Sequence, residues 1–149
     1  ADWHDQITDI KKSDPSFSWK EFLDGASNAY EMILEAFAKG DTNTLKALLS
    51  KEIYTEFANA IQQREQEGKV LQTTLIRMGE ITCEDISQKG TQVSIRLRFM
   101  TEQTHVIRSN KGTILEGSPQ QVEEIVDIWT FSRNVRANNP NWILVETEN

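Results

Sequence analysis

Side chains that could move protons are few in this chain of 149 residues, which has two histidines and one cysteine. His105 lies in the alternating run 103–106, and acid–base chemistry there would need a carboxylate from a neighbouring strand, such as Asp127 or Glu124. The alternative is a hydrogen-bonded polar residue at the wet end of a sheet. We favour the alternative, because one histidine and scattered carboxylates occur in many strand pairs.

The sequence lacks the motifs of common catalytic loops, including the P-loop, the glycine run that binds dinucleotides and the HExxH zinc motif. A zinc site built on His4, His105 and Cys83 would need several carboxylates as well, so we predict no metal and no cofactor. Cys83 alternates with Ile81 as in a strand, which indicates a small buried hydrophobe rather than a reactive thiol. We therefore predict no catalytic residue and no enzymatic activity.

The formal net charge is −7, from 16 basic and 23 acidic residues. Nucleic-acid-binding domains carry a basic field, because lysines and arginines release counterions from phosphate. We therefore expect no nucleic-acid partner. A local basic patch that faces anionic lipid is compatible with this charge, because attraction depends on the local field.

The first twenty residues are amphipathic. Apolar residues recur there at spacings of four and three, as on one face of a two-turn helix, and tryptophans and lysines accompany them. Tryptophan and lysine beside an apolar stripe are typical of a membrane interface, and a helix packed back on its own domain explains the pattern equally well. The candidate lipid-contact residues are Trp3, Ile7, Ile10, Lys11, Lys12, Phe17 and Trp19.

A second candidate surface is a row of arginines on a predicted strand. Arg96 and Arg98 lie two residues apart and so share the solvent-facing side, and Arg108 lies further along the same strand. Such a row could bind lipid phosphate or an acidic partner segment. Pairing with glutamates on neighbouring strands is the commoner arrangement and the competing interpretation.

Helical periodicity dominates the first half of the chain. Ser18 is predicted to cap the clearest helix, and Gly40 to end it in the left-handed conformation. Asp41 and Ser50 are predicted to cap two further helices, the second of which ends at Gly68.

The apolar period changes to that of a strand from Val70 onwards, and Gly79 predicts a bulge or a bend in that first strand. A strongly alternating strand follows, in which 93–99 has one apolar face and which continues to Arg108. After turn residues at 110–112, further strands are predicted over 122–135 and 142–147.

This order of elements predicts the α+β class, with N-terminal helices packed on a long, curved antiparallel sheet. Long strands coil because strands twist, so a sheet curved around a helix forms a cone whose mouth can hold a pocket. An exposed aromatic face around Trp129 and Phe131 would instead favour a peptide-binding groove. The predicted pocket lining is Tyr30, Phe37, Ile95, Leu97, Phe99, Trp129 and Phe131.

Short stretches across essentially the whole chain resemble the Tim44-like domain family. The combination of Asp-Pro-Ser-Phe with Lys-Gly-Asp is the more specific part of this resemblance. The early stretches are Ile10–Phe17, Phe22-Leu23, Glu35–Asp41, Leu45-Lys46 and Leu49-Ser50, and the later ones, which resemble the bacterial branch, are Thr101–Gln103, Asp127–Phe131 and Asn139–Trp142.

The resemblance implies a cone of the cystatin-like, nuclear-transport-factor-two-like group. It also implies a non-catalytic scaffold or docking role at an inner membrane, as in the mitochondrial import-motor scaffold and its alphaproteobacterial relatives. The family's chaperone-binding part lies outside such a domain, so the resemblance implies no chaperone-binding role for these residues. In the family, the N-terminal helices contact cardiolipin-containing membrane, and the corresponding positions in this chain are Trp3, Ile7, Ile10, Phe17 and Trp19.

We accordingly expect one domain over 1–149, cut from a longer membrane-anchored protein, with an amphipathic segment at 1–16, helices at 17–68 and a sheet at 70–148. The expected partners are anionic, cardiolipin-like lipid and membrane or translocation-associated proteins, at a bacterial inner membrane or the matrix side of the mitochondrial one. The alternative from the same fold group is a small-ligand-binding or isomerase- or dehydratase-type pocket. That alternative needs proton-transferring residues inside the cone.

Overall fold

The computed structural model describes residues 2–148, which form four helices followed by an antiparallel sheet of five strands. This arrangement confirms the predicted α+β class with the helices first. The helices are α1 (His4–Ser13), α2 (Trp19–Lys39), α3 (Thr42–Leu48) and α4 (Lys51–Gln66). The strands are β1 (Lys69–Lys89), β2 (Gln92–Ser109), β3 (Ile114–Gly117), β4 (Glu123–Asn134) and β5 (Ile143–Glu148).

The helix boundaries follow from caps that the sequence predicts. The Ser18 side chain accepts a hydrogen bond from the Glu21 amide at 3.2 Å, and Asp41 and Ser50 cap α3 and α4 in the same way. Each cap satisfies an amide that would otherwise lack a partner at a helix start. Gly40 ends α2 with φ 72°, in the left-handed region that glycine adopts without strain.

The sheet runs β1-β2-β4-β5, and β3 pairs with β2 beyond the end of β4. Three register shifts interrupt the long β1–β2 hairpin, one of them between Met78 and Ile81. Gly79 lies in that bulge, as predicted, and a Cβ there would be 2.6 Å from the Met100 carbonyl oxygen. The bulge therefore requires glycine, because bulges bend the strand and bring the two backbones together.

Strand β3 has no counterpart among the sequence predictions. It is only four residues long and all four are exposed, so it has no alternation to detect. Its pairing depends on Gly117, where φ is 76° and a Cβ would be 2.1 Å from the His105 carbonyl oxygen. Strand β3 is therefore the return arm of a short hairpin with the end of β2, and this close backbone contact defines it.

The core lies between α2 and the inner face of the sheet. Val93, Ile95, Leu97 and Phe99 on β2 are fully buried, as their alternation predicts. The Tyr30 ring of α2 stacks on Phe99 with centroids 4.6 Å apart. At the other edge of the sheet, the Ser50 amide donates to the Leu144 carbonyl at 2.9 Å, which joins the helical half to β5.

Replacement of Gly79 by alanine tests the bulge. We expect Gly79→Ala to lower the free energy of unfolding by about 1–3 kcal/mol, because the new methyl group forces the β1 and β2 backbones apart. Urea denaturation measures this. Gly90→Asn is the control, since φ there is 60°, the space is open and asparagine tolerates that conformation. A Gly79→Ala variant as stable as the parent would contradict the bulge geometry.

Candidate functional site

The residues predicted to line a cone mouth form the core instead. Tyr30, Ile95, Leu97 and Phe99 are completely buried, and Trp129 and Phe131 are at most 4% exposed. Phe37 is half-buried against the Phe57 ring, with centroids 5.4 Å apart. The prediction of an open mouth with this lining is wrong, because α2 packs on this face of the sheet and covers it. Phe131 alone of the seven borders either of the two cavities described below.

An open groove of about 540 Å³ lies along one flank of α2, beside the end of β4. Its walls come from α2, from the α1–α2 linker and from the loop between β4 and β5. We call it the α2 groove. Aromatic and small apolar side chains form its floor, and the polar side chains of its rim include Asp14, Glu21 and Arg133. The apolar lining includes Phe17, Phe22, Ala26, Ala29, Met32, Leu48 and Trp142.

Three aromatic rings form one end of the α2 groove. Trp142 meets Phe22 edge-on with centroids 4.7 Å apart, and Phe17 lies 6.2 Å from Trp142. Trp142 comes from the β4–β5 loop and Phe17 from the α1–α2 linker, so this aromatic cluster exists only in the folded chain.

Arg133 fixes the loop and the linker relative to each other. Its Nη1 donates to Asp14 Oδ2 at 3.1 Å, and both side chains are at most 15% exposed. Its Nε donates to the Asn139 carbonyl at 3.2 Å. A partly buried arginine that satisfies several acceptors holds a wall rigidly. Sequence reasoning missed this role, because 119 residues separate Asp14 from Arg133.

Gly25 lies in the middle of α2 and borders the α2 groove. Its φ is not positive, and a Cβ there would meet nothing within 4 Å. A glycine in a helix interior costs roughly 0.8–1 kcal/mol relative to alanine. No backbone or packing contact requires this glycine, and its effect is to keep the groove wide.

A second cavity of about 440 Å³ lies between α1, the start of α2 and β1. We call it the α1 hollow. Trp3, Ile7 and Trp19, three of the predicted lipid-contact residues, line it and are half-buried. Lys11 and Lys12 are exposed on the last turn of α1, where Lys12 pairs with Asp9 at 3.2 Å.

Ile10 and Phe17 are buried, whereas contact with lipid requires an exposed side chain. Ile10 is completely buried and Phe17 is 8% exposed, both in the main core. The Gln88 side chain also donates to the Ser13 hydroxyl at 3.1 Å. These contacts hold α1 on the domain, so direct lipid contact by Ile10 and Phe17 is excluded in this conformation. The amphipathic pattern predicted an apolar face, and tertiary packing divides that face between core and surface.

The row of Arg96, Arg98 and Arg108 lies on the outer face of β2, and all three side chains are half-buried. Arg108 donates to the Gln72 side chain at 2.7 Å. Within residues 2–148, no ion pair involves any of the three, so the pairing with glutamates offered as the competing interpretation is not formed. The row is not purely basic, because Asp85 lies opposite Arg96.

Asp127 is hydrogen-bonded to Tyr30 and not to His105. The Tyr30 hydroxyl donates to Asp127 Oδ2 at 2.6 Å, and the Gln103 amide donates to the Tyr30 oxygen at 2.9 Å. His105 Nδ1 lies 3.3 Å from the Thr73 hydroxyl. The acid–base pair of His105 and Asp127 is therefore replaced by a buried polar cluster around Tyr30, which sequence reasoning missed because its members are far apart in the chain.

Burial determines the protonation behaviour of this cluster. Desolvation raises the pKa of the Asp127 carboxyl, although the Tyr30 hydrogen bond and the nearby His105 act in the opposite direction. Desolvation also raises the pKa of the Tyr30 hydroxyl, and the hydrogen bond to Asp127 adds to this shift. Burial raises the pKa of the Cys83 thiol to about 11, so Cys83 is protonated at neutral pH. Across residues 2–148, histidine, cysteine and carboxylate side chains nowhere form a group of three that could hold a metal.

These features define an α+β domain in which helices cover one face of an antiparallel sheet and leave an apolar groove beside the N-terminal segment. The family model described as the Tim44-like domain matches residues 3–149, and the chain belongs to that family. This family assignment confirms the resemblance seen in the sequence.

The relatives include mitochondrial import inner membrane translocase subunits. The chain is 24% identical to TIM44-1 of Arabidopsis thaliana, over 84% of this chain and 26% of that protein. It is 24% identical to human TIM44, over 90% of this chain and 30% of that protein. An uncharacterized protein of Rickettsia prowazekii is 26% identical over 97% of this chain and 58% of its own length. The chain thus spans about a third or less of the TIM44 proteins it matches.

A solved structure has the same fold at low sequence identity. The intermembrane space region of the chloroplast protein ARC6 superimposes with a TM-score of 0.55 and 10% identity, over 83% of this chain and 92% of that one. None of the helices within residues 2–148 has the length and apolar character needed to cross a membrane.

Replacement of Asp127 by asparagine tests the buried cluster. Since the pKa of Asp127 is raised in the folded protein, its contribution to stability is full below the unfolded pKa and is lost as the pH rises through the folded pKa. We expect the unfolding free energy of Asp127→Asn, in which the side chain still accepts from Tyr30, to rise relative to that of the parent as the pH increases above about 4. Urea denaturation across this range measures the difference.

Asp5→Asn, at an exposed position of α1, is the matched control. A constant difference between Asp127→Asn and the parent across the pH range would show that Asp127 does not titrate as the cluster requires.

Proposed function

We propose that this chain is a membrane-apposed docking domain for protein transport, which binds anionic lipid through its N-terminal segment and offers the α2 groove to an apolar part of a partner protein. Membership of the Tim44-like domain family and relatives named as inner membrane translocase subunits support the transport role. In this proposal the domain catalyses no reaction.

One observation carries the proposal. The N-terminal segment lies between two cavities, the α1 hollow and the α2 groove. Trp3, Ile7 and Trp19 line one of them and Phe17 lines the other. Exposed apolar patches mark interaction surfaces, so the aromatic lining of the α2 groove and the tryptophans of the α1 hollow support a surface adapted to an apolar occupant.

The exposed lysines give this surface its lipid preference. Lys11 and Lys12 lie on the last turn of α1, the helix that bears Trp3 and Ile7. Each basic residue near an anionic bilayer contributes about 1 kcal/mol of attraction, and tryptophan favours the interfacial layer. The two lysines orient the segment and the aromatic side chains enter the interface.

Within the segment, buried and exposed residues have different roles. Ile10 and Phe17 hold α1 and the linker on the domain, since both lie in the core. Trp3, Ile7 and Trp19 stay half-buried and contact the lipid, together with Lys11 and Lys12. The domain can therefore approach the bilayer without unfolding α1.

Charge reversal at the two lysines tests this proposal. We expect Lys11→Glu/Lys12→Glu to lose at least about 2 kcal/mol of binding to cardiolipin-containing vesicles, roughly a thirtyfold weaker partition, because attraction becomes repulsion. Vesicle flotation at low ionic strength measures the partition, and the parent should not float with neutral phosphatidylcholine vesicles.

Two further variants carry the same change in charge. Lys51→Glu/Lys111→Glu, at exposed positions away from α1, should bind as the parent does apart from a small general effect. Arg96→Glu/Arg98→Glu tests the arginine row. If that variant loses binding and the Lys11/Lys12 variant does not, the sheet is the membrane surface and the proposal fails.

A pocket for a small apolar ligand is the second candidate function, favoured by the volume and open floor of the α2 groove.

We expect Gly25→Leu to fill the groove without loss of stability, because leucine is a strong helix former. Fluorescence of the neutral dye Nile red should then fall at least about fivefold relative to the parent, about 1 kcal/mol of lost binding. Glu31→Leu is the control on the same helix, and equal dye binding by both variants would exclude the groove as a ligand site.

A further inference from the structure

The first part of β1 is an edge strand that lacks the usual protection against pairing. Within residues 2–148, β2 is the one strand that pairs with β1, which leaves the other edge of β1 free. From Lys69 to Leu75 the pairing with β2 runs through seven consecutive residues without a register shift. Native proteins blunt such edges with charges, prolines, bulges or a covering element.

The segment Val70–Ile76, which we call the β1 edge segment, reaches a register shift only at its last residue, Ile76, and has none of the protective residue types. Its sequence, Val-Leu-Gln-Thr-Thr-Leu-Ile, contains no charge, proline or glycine and is rich in residues that favour strands. Val70 is 44% exposed and Ile76 is 51% exposed. Both are among the most exposed large apolar side chains of the described residues.

The polar side chains of the β1 edge segment leave its free edge uncovered. Gln72 accepts a hydrogen bond from Arg108 at 2.7 Å, and the Thr73 hydroxyl lies 3.3 Å from His105. Both partners belong to β2, on the side opposite to the free edge. No side chain of the segment therefore blocks the approach of another strand.

The rest of β1 is protected in the expected way. Beyond Leu75 the register shifts three times, and each bulge twists the edge away from a flat pairing surface. Charged side chains at Arg77, Glu80, Glu84 and Asp85 also occur there. The contrast within one strand indicates that the β1 edge segment is a pairing site.

We propose that the β1 edge segment pairs antiparallel with the same segment of a second copy of this chain, which joins two sheets across a two-fold axis. The segment is self-complementary in one register, with Thr73 opposite Thr73 of the second copy. Val70 then lies opposite Ile76 of the other copy, Leu71 opposite Leu75, and Gln72 opposite Thr74. Aliphatic side chains meet aliphatic ones and polar side chains meet polar ones, which is the arrangement that stabilises strand pairs.

The charges at the two ends of the segment fit the same partner. Lys69 pairs with Glu67 at 3.1 Å, and Arg77 pairs with Glu102. The two-fold axis places the first pair of one copy beside the second pair of the other, so two cations and two anions meet with no net charge. The chain as a whole carries −7 and repels its own copies elsewhere, so association is directed to this neutral edge.

A contact through one short edge buries less than the roughly 1,600 Å² of a standard interface, so the dimer is weak and depends on concentration. The inference is independent of the proposed lipid-binding function, because α1 and the α2 groove take no part in the contact.

Analytical ultracentrifugation over a concentration series tests the dimer. The parent should pass from monomer to dimer with increasing concentration. Ile76→Lys, which places a lysine opposite Val70 of the second copy, should raise the dissociation constant at least about tenfold. In Val70→Glu/Ile76→Lys, the new glutamate of one copy faces the new lysine of the other. This variant should recover most of the lost affinity.

Two exposed aliphatic residues on other strands provide matched controls. Leu115→Lys on β3 and Val145→Lys on β5, where the parent residues are 50% and 36% exposed, should leave the dissociation constant unchanged. All variants should keep the urea midpoint of the parent, since the replaced side chains are exposed. A parent that stays monomeric at all concentrations would overturn the proposal, and so would a dimer sensitive to Leu115→Lys alone.

A cross-link tests the register directly. Thr73→Cys in a Cys83→Ser background should form a disulfide-linked dimer under mild oxidation, because directly opposite residues of antiparallel strands lie within disulfide range. Thr55→Cys in the same background, exposed on α4, should not. Equal cross-linking by both variants would indicate random collision and contradict the paired edge.

Discussion

The packing of α2 against the concave face of the sheet is the interaction on which the rest of the structure depends. Tyr30 lies at its centre, with its ring 4.6 Å from Phe99 and 4.5 Å from Trp129 by centroid distance. These three neighbouring aromatic side chains bury a large apolar area in one place. The Tyr30 hydroxyl still needs a partner in this dry environment, and Asp127 supplies it at 2.6 Å. The helix thus fills the interior, so any binding surface must lie at the periphery.

The peripheral surfaces follow from that constraint. Because α2 turns one face to the sheet, the flank of that face, with Gly25 and Ala29, becomes the floor of the α2 groove. The α1–α2 linker and the β4–β5 loop close the groove at one end, held together by Arg133 and Asp14. The N-terminal segment then lies between this groove and the α1 hollow. This member of the Tim44-like domain family thereby has apolar surface next to exposed lysines, without loosening its core.

Sequence reasoning identified most of the fold and a smaller part of the site. The helix caps at Ser18, Asp41 and Ser50 were predictable because each depends on an amide three residues away. The bulge at Gly79 was predictable because glycine interrupts an alternating strand. Strand β3 was not, since four exposed residues contain no period. The salt bridge of Arg133 with Asp14 and the cluster around Tyr30 were also inaccessible, because they join residues about 100 positions apart.

The sequence by itself determined the order of elements, the inward face of β2, the family and the amphipathic character of the first helix, because each is written in local spacing or short motifs. Only the tertiary structure decided which apolar residues of the N-terminal segment remain available. Ile10 and Phe17 enter the core and Trp3 and Trp19 stay partly exposed, although all four belong to one amphipathic pattern. Periodicity defines a face but not what covers it. The covering elements come from parts of the chain that no local pattern connects, which is also why the predicted cone lining became core.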